Sequence, residues 1–131
     1  MVQVSFAKEI TVETPNTVGI AAKLAGLVAN QAKANISAAW AAGHNSQGHF
    51  SLITDNNQKV LDVLKKEYPK AQEQDVLIFN VSNEPGQISE ITNKIGGAGI
   101  NINYLFTTYY QNQPAIVLST SDDKKALALF K

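Results

Sequence analysis

The chain contains neither arginine nor cysteine. Without arginine it lacks the planar guanidinium that grips phosphate or carboxylate through paired hydrogen bonds, and its cations are all lysines, point charges on flexible stems. Formal net charge is zero, so the basic surface that attracts nucleic acid is missing and no nucleic-acid partner is expected. The absence of cysteine excludes disulfides, thiolate metal sites and a cysteine nucleophile. Long apolar runs are absent too. Residues 1–8 carry no apolar leader core, and no stretch is long enough to cross a bilayer, so no membrane association is expected. The expectation is a soluble, cytoplasmic protein.

What is present is one pattern written twice. Each copy places an asparagine-containing turn before a helix and an Asn-Ile dipeptide after it. Asn101-Ile102 stands 66 positions after Asn35-Ile36, and the same offset pairs Leu118 with Leu52 and Leu127 with Leu61. Before the helix the offset is 67, pairing Gly86 with Gly19. The first copy therefore carries one extra residue in its helix or at that helix's end. A chain of 131 residues suits one ordinary domain or two very small ones. A unit of about 60 residues buries only ~60% of its unfolded surface, so the two are expected to share an interface. Two copies point to twin subdomains, residues 1–70 and 71–131, rather than to a solenoid.

The hydrophobic periods give the same element order in each copy. Val2, Val4, Phe6, Ile10 and Val12 alternate, with one break at Lys8, as in a strand with one buried face. Thr14-Pro15-Asn16-Thr17 is turn chemistry, and Asn16 or Thr17 is placed to cap the helix that follows. That helix runs to about Ala32 on a stripe of Val18, Ala21, Leu24, Leu27 and Val28. Ile36, Ala38 and Trp40 begin a strand, residues 43–48 form a hairpin connection, and residues 49–54 return. Asp55-Asn56-Asn57 caps a second helix that buries Val60, Leu61, Leu64 and Tyr68 and ends at Pro69.

In the second copy, residues 76–81 read as a strand buried on both faces. Glu84-Pro85-Gly86 opens a helix with proline in its first turn and Ile88, Ile91 and Ile95 as its stripe. Gly96, Gly97 and Gly99 stop it. Ile100, Ile102, Tyr104 and Phe106 form the next strand, Gln111-Asn112-Gln113 the turn and residues 115–120 the partner strand. Asp122-Asp123 caps a last helix carrying Leu127 and Phe130. The class is α+β: two ferredoxin-like βαββαβ subdomains in tandem, antiparallel sheets with helices on one face. Only residues 71–74 are available for a fourth strand in the first copy and nothing in the second, whose edge another segment or chain must cover. Ala39, Ala41, Ile53, Leu105 and Val117 are assigned to the sheet face opposite the helices, covered by the other copy or a second subunit. A homodimer is expected.

The turns carry a family resemblance. Asn83-Glu84-Pro85-Gly86-Gln87-Ile88 followed by Gly99-Ile100-Asn101-Ile102 resembles the signature of the ACT domain, a ferredoxin-like small-molecule-binding module that regulates amino-acid metabolism. In the first copy Asn16-Thr17-Val18-Gly19 and Asn35-Ile36 occupy the same places, with Val18 where proline is usual and Lys33-Ala34 where glycine is. Together the copies cover nearly the whole chain, which is similar to small stand-alone proteins made of two ACT domains with no enzyme attached. The resemblance implies a small-molecule effector, an amino acid, bound at turns between copies or subunits. It implies ligand contacts from Asn83 and Asn101, and by repeat symmetry from Asn16 and Asn35. No cofactor is implied.

The residues support part of this without the resemblance. A helix N-terminus presents unpaired N–H groups and partial positive charge, and Gly86 lets a carboxylate approach the backbone there. The same four asparagines also suit caps and turns that hold no ligand. His44 and His49 flank the first hairpin loop, but no acidic pair completes a metal site, and none is expected. Trp40 matches Phe106 in the repeat and is assigned to the core. Thr107-Thr108-Tyr109-Tyr110 at a strand end can border a pocket or a partner surface. No Ser/His/Asp order, phosphate-binding loop or metal motif points to an enzyme. The competing reading is a protein–protein interaction module of the same fold without a small ligand.

Overall fold

A computed structural model describes residues 3–82 and 84–131. The chain forms β1 (Gln3–Pro15), α1 (Ile20–Gly26), β2 (Ile36–His44), β3 (Gln47–Thr54), α2 (Asn57–Leu64), β4 (Gln72–Asn80), α3 (Gln87–Gly97), β5 (Ile102–Tyr110), β6 (Gln113–Thr120) and α4 (Asp123–Ala128). It divides into two units, Lys8–Gln74 and Met1–Ala7 with Asp75–Lys131. The division therefore falls four residues beyond the expected 70/71 boundary, and the first residues of the chain group with the C-terminal unit.

In the N-terminal unit the strand order is β2-β3-β1, with β4 as the other neighbour of β1. Only Gln72–Gln74 of β4 belong to this unit, the short fourth strand that residues 71–74 allowed. In the C-terminal unit the order is β5-β6-β4, with β1 as the other neighbour of β4. The part of β1 that belongs here ends at Ala7, and Val4 packs on this unit's core. The missing fourth strand of the second copy is thus supplied by the start of the same chain.

Each core is a sheet face under two helices. In the N-terminal unit Ile10, Val12, Phe50 and Leu52 meet Leu24, Val28, Val60, Leu61 and Leu64. In the C-terminal unit Leu77, Phe79, Ile116 and Leu118 meet Ile91, Ile95 and Ala126. Phe130 stands edge-on to Phe79 at 4.9 Å, an arrangement that suits the ring quadrupoles. β4 is buried on both faces as expected, from Val76 to Phe79.

The extra residue of the first copy lies inside the helix. After α1 the chain continues as a π-helical turn, Leu27–Gln31, in which the Ala32 N–H reaches back five residues to the Leu27 carbonyl at 3.0 Å. One inserted residue widened the turn instead of shifting the register beyond it. At Asn35 and Asn101 the two copies make the same pair of bonds. The Asn35 N–H donates to Asp55 Oδ1 (2.9 Å) and the Asn101 N–H to Ser121 Oγ (3.0 Å). The Asp55 and Ser121 N–H groups return bonds to the carbonyls of Asn35 and Asn101. Asn56 and Asp122 cap α2 and α4 as expected.

Several local expectations are corrected. Both helices of the repeated turns begin two or three residues later than read. Gly19 and Gly86 are the N-cap residues, at φ 85° and 91°, and no side chain caps either helix. Pro85 therefore precedes the cap. Val18 lies outside α1 and is fully exposed, and Ala21, also read as part of the buried stripe, is exposed too. α2 stops at Leu64, well before Pro69. The hairpins are tighter than read, with two-residue turns at Asn45-Ser46 and Gln111-Asn112.

The face assignment also changes. β2 and β5 each carry an irregularity, between Ile36 and Ala38 and between Ile102 and Tyr104. One extra residue on a strand reverses the facing of everything beyond it. Ile36 and Ile102 consequently pack on the helix-side cores, whereas Trp40 pairs with Ser51 and Phe106 with Val117 on the opposite face. Trp40 is half-buried and stacks on the His49 ring at 4.7 Å, not in the core. Ala39, Ala41 and Leu105 pair with Leu52, Phe50 and Leu118, which places them on the helix side. Of the five apolar residues assigned to the far face, Ile53 and Val117 remain there, both buried.

Candidate functional site

The C-terminal unit contains a cavity of about 630 Å³ between the start of α3 and the turn end of the β5–β6 hairpin. Glu84, Gly86, Gln87, Ile88 and Ser89 form one wall. Thr107, Thr108 and Tyr109 from β5, and Pro114, Ala115 and Ile116 from β6, form the other. Val81 and Ser82 complete it at the end of β4.

The sequence builds this site locally. Gly86 takes a left-handed conformation, φ 91°, that a residue with a Cβ enters at a cost of about 1–2 kcal/mol. Its missing side chain leaves nothing within 4 Å, so backbone conformation, not space, requires glycine. That turn aims the first residues of α3 at the cavity. Their N–H groups precede the first intrahelical acceptor and are the donors a helix leaves unpaired. The Glu90 N–H, one turn in, already bonds the Gly86 carbonyl at 2.9 Å. The volume lies within the range of small-ligand sites, and the walls mix apolar surface with a few polar groups, as such sites do.

The structure gathers some of the expected site residues and disperses others. Glu84, Gly86, Gln87 and Ile88 line the cavity, with Pro85 exposed between them. Asn83 lies outside the described residues. Asn101 and Ile102 sit beyond the far end of α3, an 11-residue helix about 16 Å long, and line no part of the cavity. The Asn101 side chain donates instead to Asn103 Oδ1 at 3.1 Å, and Ile102 packs on the core. Tyr109, Thr107 and Thr108, read as bordering a pocket or a partner surface, border this pocket. Ala115 and Ile116 were read only as strand and Pro114 was given no element, and a β-strand run alone gives no sign of lining a cavity.

The equivalent space in the N-terminal unit is built differently. Asn16 lies against Gly43, so that a Cβ on Gly43 would fall 2.6 Å from Asn16 Oδ1. Asn16 Nδ2 donates to the Asn45 carbonyl at 3.0 Å and its N–H to Ser46 at 3.0 Å. These bonds latch the turn onto the first hairpin. Where the second copy has Thr107, Tyr109 and Pro114, the first has Ala41, Gly43 and Gly48. The turn residues Thr17, Val18 and Gly19 border a smaller cavity of about 470 Å³ on the other side of the turn. Tyr68 and the ion-paired Lys23 and Glu67 close that one. Asn35 and Ile36 line neither cavity.

The two histidines do not meet as a metal pair. His49 bonds Glu13 through Nδ1 and Ser51 Oγ through Nε2 at 2.8 Å, while His44 is exposed at the strand end. Among the described residues no group of three or more His, Cys, Asp or Glu side chains is placed to hold a metal ion, and no helix is long and apolar enough to cross a membrane.

A family model for the ACT domain pair matches residues 6–130. The chain belongs to that family. The ACT pair also has counterparts of the same fold among solved structures. A protein from Bacteroides thetaiotaomicron superposes with a TM-score of 0.85 at 20% identity, over 97% of this chain and 88% of the other. The regulatory subunit of aspartate kinase from Thermus thermophilus, in its ligand-free form, gives 0.70 at 16% identity, over 99% and 95%. The regulatory subunit of aspartate kinase from Thermus flavus gives 0.61 at 17% identity, over 98% and 93%. Among curated proteins none matches this ACT pair in sequence.

Proposed function

We propose that this ACT pair is a regulatory protein without catalytic activity of its own, that it binds a small effector, an amino acid, in the cavity of its C-terminal unit, and that it passes the bound state to a partner protein. The observation that carries the reading is the 630 Å³ cavity at the start of α3. A ligand carboxylate there meets the unpaired N–H groups and the positive end of the helix. Glu84, Gly86, Gln87 and Ile88 are the expected contacts from the repeated turn, with Asn83 beside them in sequence. The regulatory role follows from the family and from the aspartate kinase regulatory subunits that share the fold.

The N-terminal copy serves structure in this reading. Its Asn16 is engaged with the hairpin, and Asn35, like Asn101, ties the second strand of its copy to the residue after the third. One effector binds per chain. The cytoplasm is the location in which such a sensor would work, and the exposed edges of β2 and β5, the outer strands of their units, are the surfaces through which a homodimer forms.

A thermal-shift screen of the twenty amino acids tests the proposal. A true ligand at one hundred times its dissociation constant adds ~2.7 kcal/mol to stability. Stabilisation that is saturable and abolished by Gly86→Asp, which fills the turn and places a negative charge at the helix start, supports it. A chain that responds to no amino acid, yet holds a stable protein partner, would instead be the interaction module.

A further inference from the structure

The side-chain class of the effector is written in the walls of the same cavity, and this inference rests on the reading of that cavity as the effector site. We infer that the ligand is an amino acid with an apolar or aromatic side chain, of the size of leucine or phenylalanine.

Three observations converge. Among the described residues the cavity walls contain no lysine and no histidine, and Glu84 is the one carboxylate there. A ligand with an acidic side chain would find no counter-charge and would face Glu84. A ligand α-ammonium, in contrast, has Glu84 as its acceptor, a charge-assisted bond of the stronger kind. Second, the walls hold uncovered apolar surface. Ile88 is 41% and Tyr109 68% exposed, and with Pro114, Ile116 and Val81 they surround the same space. An apolar body placed there removes that surface from water.

Third, the fold itself does not call for these residues. The first copy builds the same hairpin register with Gly43 opposite Gly48 where the second has Tyr109 opposite Pro114. It also has Ala41 where Thr107 stands. In that copy the latch of Asn16 on Gly43 occupies the place. The bulky pair appears in the copy with the cavity, and glycines stand at both positions in the copy where Asn16 lies against Gly43. The Tyr109–Pro114 pair is therefore a specificity wall, not a requirement of the strand pairing.

The test is calorimetric titration of the full chain with glycine, L-alanine, L-leucine, L-phenylalanine, L-serine, L-lysine and L-aspartate, on the wild type, Tyr109→Ala and Glu84→Gln. L-Leucine or L-phenylalanine is expected to bind about 10- to 100-fold more tightly than L-alanine, the effect of burying a large apolar side chain. Tyr109→Ala should erase most of that preference, costing L-leucine and L-phenylalanine far more affinity than L-alanine, and Glu84→Gln should weaken all amino acids alike. Preferential binding of serine, lysine or aspartate overturns the inference and leaves the amino-acid site standing. A Tyr109→Ala loss equal for all ligands also overturns it. Failure of every amino acid to bind overturns the proposed function, and this inference with it.

Discussion

Replacing Gly43 with alanine isolates the contact of Asn16 with the first hairpin. The glycine does not adopt a left-handed conformation, since the positive-φ glycines are Gly19, Gly86 and Gly99 among the described residues. The strand backbone therefore accepts alanine, and the whole effect falls on Asn16. The new Cβ would lie 2.6 Å from Asn16 Oδ1, 2.7 Å from Nδ2 and 2.8 Å from Cγ, inside any tolerable separation. The asparagine must leave, and its bond to the Asn45 carbonyl goes with it. Because the group is exposed, water replaces the lost partner and the net loss is about 0.5–1.5 kcal/mol. Forcing the side chain off its rotamer or displacing the turn adds about 0.5–1 kcal/mol. The sum is roughly 1–2.5 kcal/mol, or about 0.5–1.2 M in the urea midpoint for an ordinary m-value. The decisive comparison is a double-mutant cycle. In an Asn16→Ala background the obstruction is gone, and Gly43→Ala should be neutral or slightly stabilising, because alanine has less unfolded-state entropy to lose. Equal losses in both backgrounds would refute the latch.

Other outcomes follow from individual residues. Lys33 holds φ 53° at the place where the second copy has Gly99, so Lys33→Gly should raise stability by about 0.5–1 kcal/mol, the left-handed strain less the entropy of glycine; a loss in urea unfolding would count against it. Gln111 and Asn112 both have positive φ, the conformation that a two-residue hairpin favours in Asn-Gly, so the double change Gln111→Asn with Asn112→Gly should stabilise by about 0.5–1 kcal/mol. Asn101→Ala should leave effector affinity unchanged, since its side chain bonds Asn103 away from the cavity; a tenfold loss in calorimetry would show that a second turn or chain completes the site. Sedimentation should find dimers at tens of micromolar, and a strict monomer with effector present would remove the homodimer from the proposal.

Much of the fold was legible because its signals are local. The cap positions Asn56 and Asp122, the double burial of β4 and the inward residues Val60, Leu61 and Leu64 all follow from side-chain chemistry and period. The repeat offset located the extra residue within or at the end of the first helix, and the π-helical turn at Leu27–Gln31 absorbs it. The facing of β2 and β5 was not legible. Each strand changes parity at its irregularity, and an alternating pattern read through that point assigns every later side chain to the wrong face. Trp40 went to the core and Ala39, Ala41 and Leu105 to the far face for that single reason.

The site was half legible, for a related cause. The turn from Glu84 to Ile88 is contiguous, and contiguous motifs survive in sequence. The opposite wall comes from hairpin residues whose inclusion depends on the parity of β5 after its irregularity. With that parity set, Leu105, Thr107 and Tyr109 share the helix side, and Tyr109 changes from an ambiguous strand-end aromatic into a wall of the cavity. Asn101 stands apart from that turn. Its motif is as clear as the turn's, but the length of α3 separates them, and a spacing in sequence carries no statement about which end of a helix a residue occupies. The comparison within the chain then supplies what one copy could not. Two copies that agree in caps, strand register and the bonds around Asn35 and Asn101 show what the fold needs. Where they part, at Gly43 and Tyr109 and at Gly48 and Pro114, the same strand register forms with either pair.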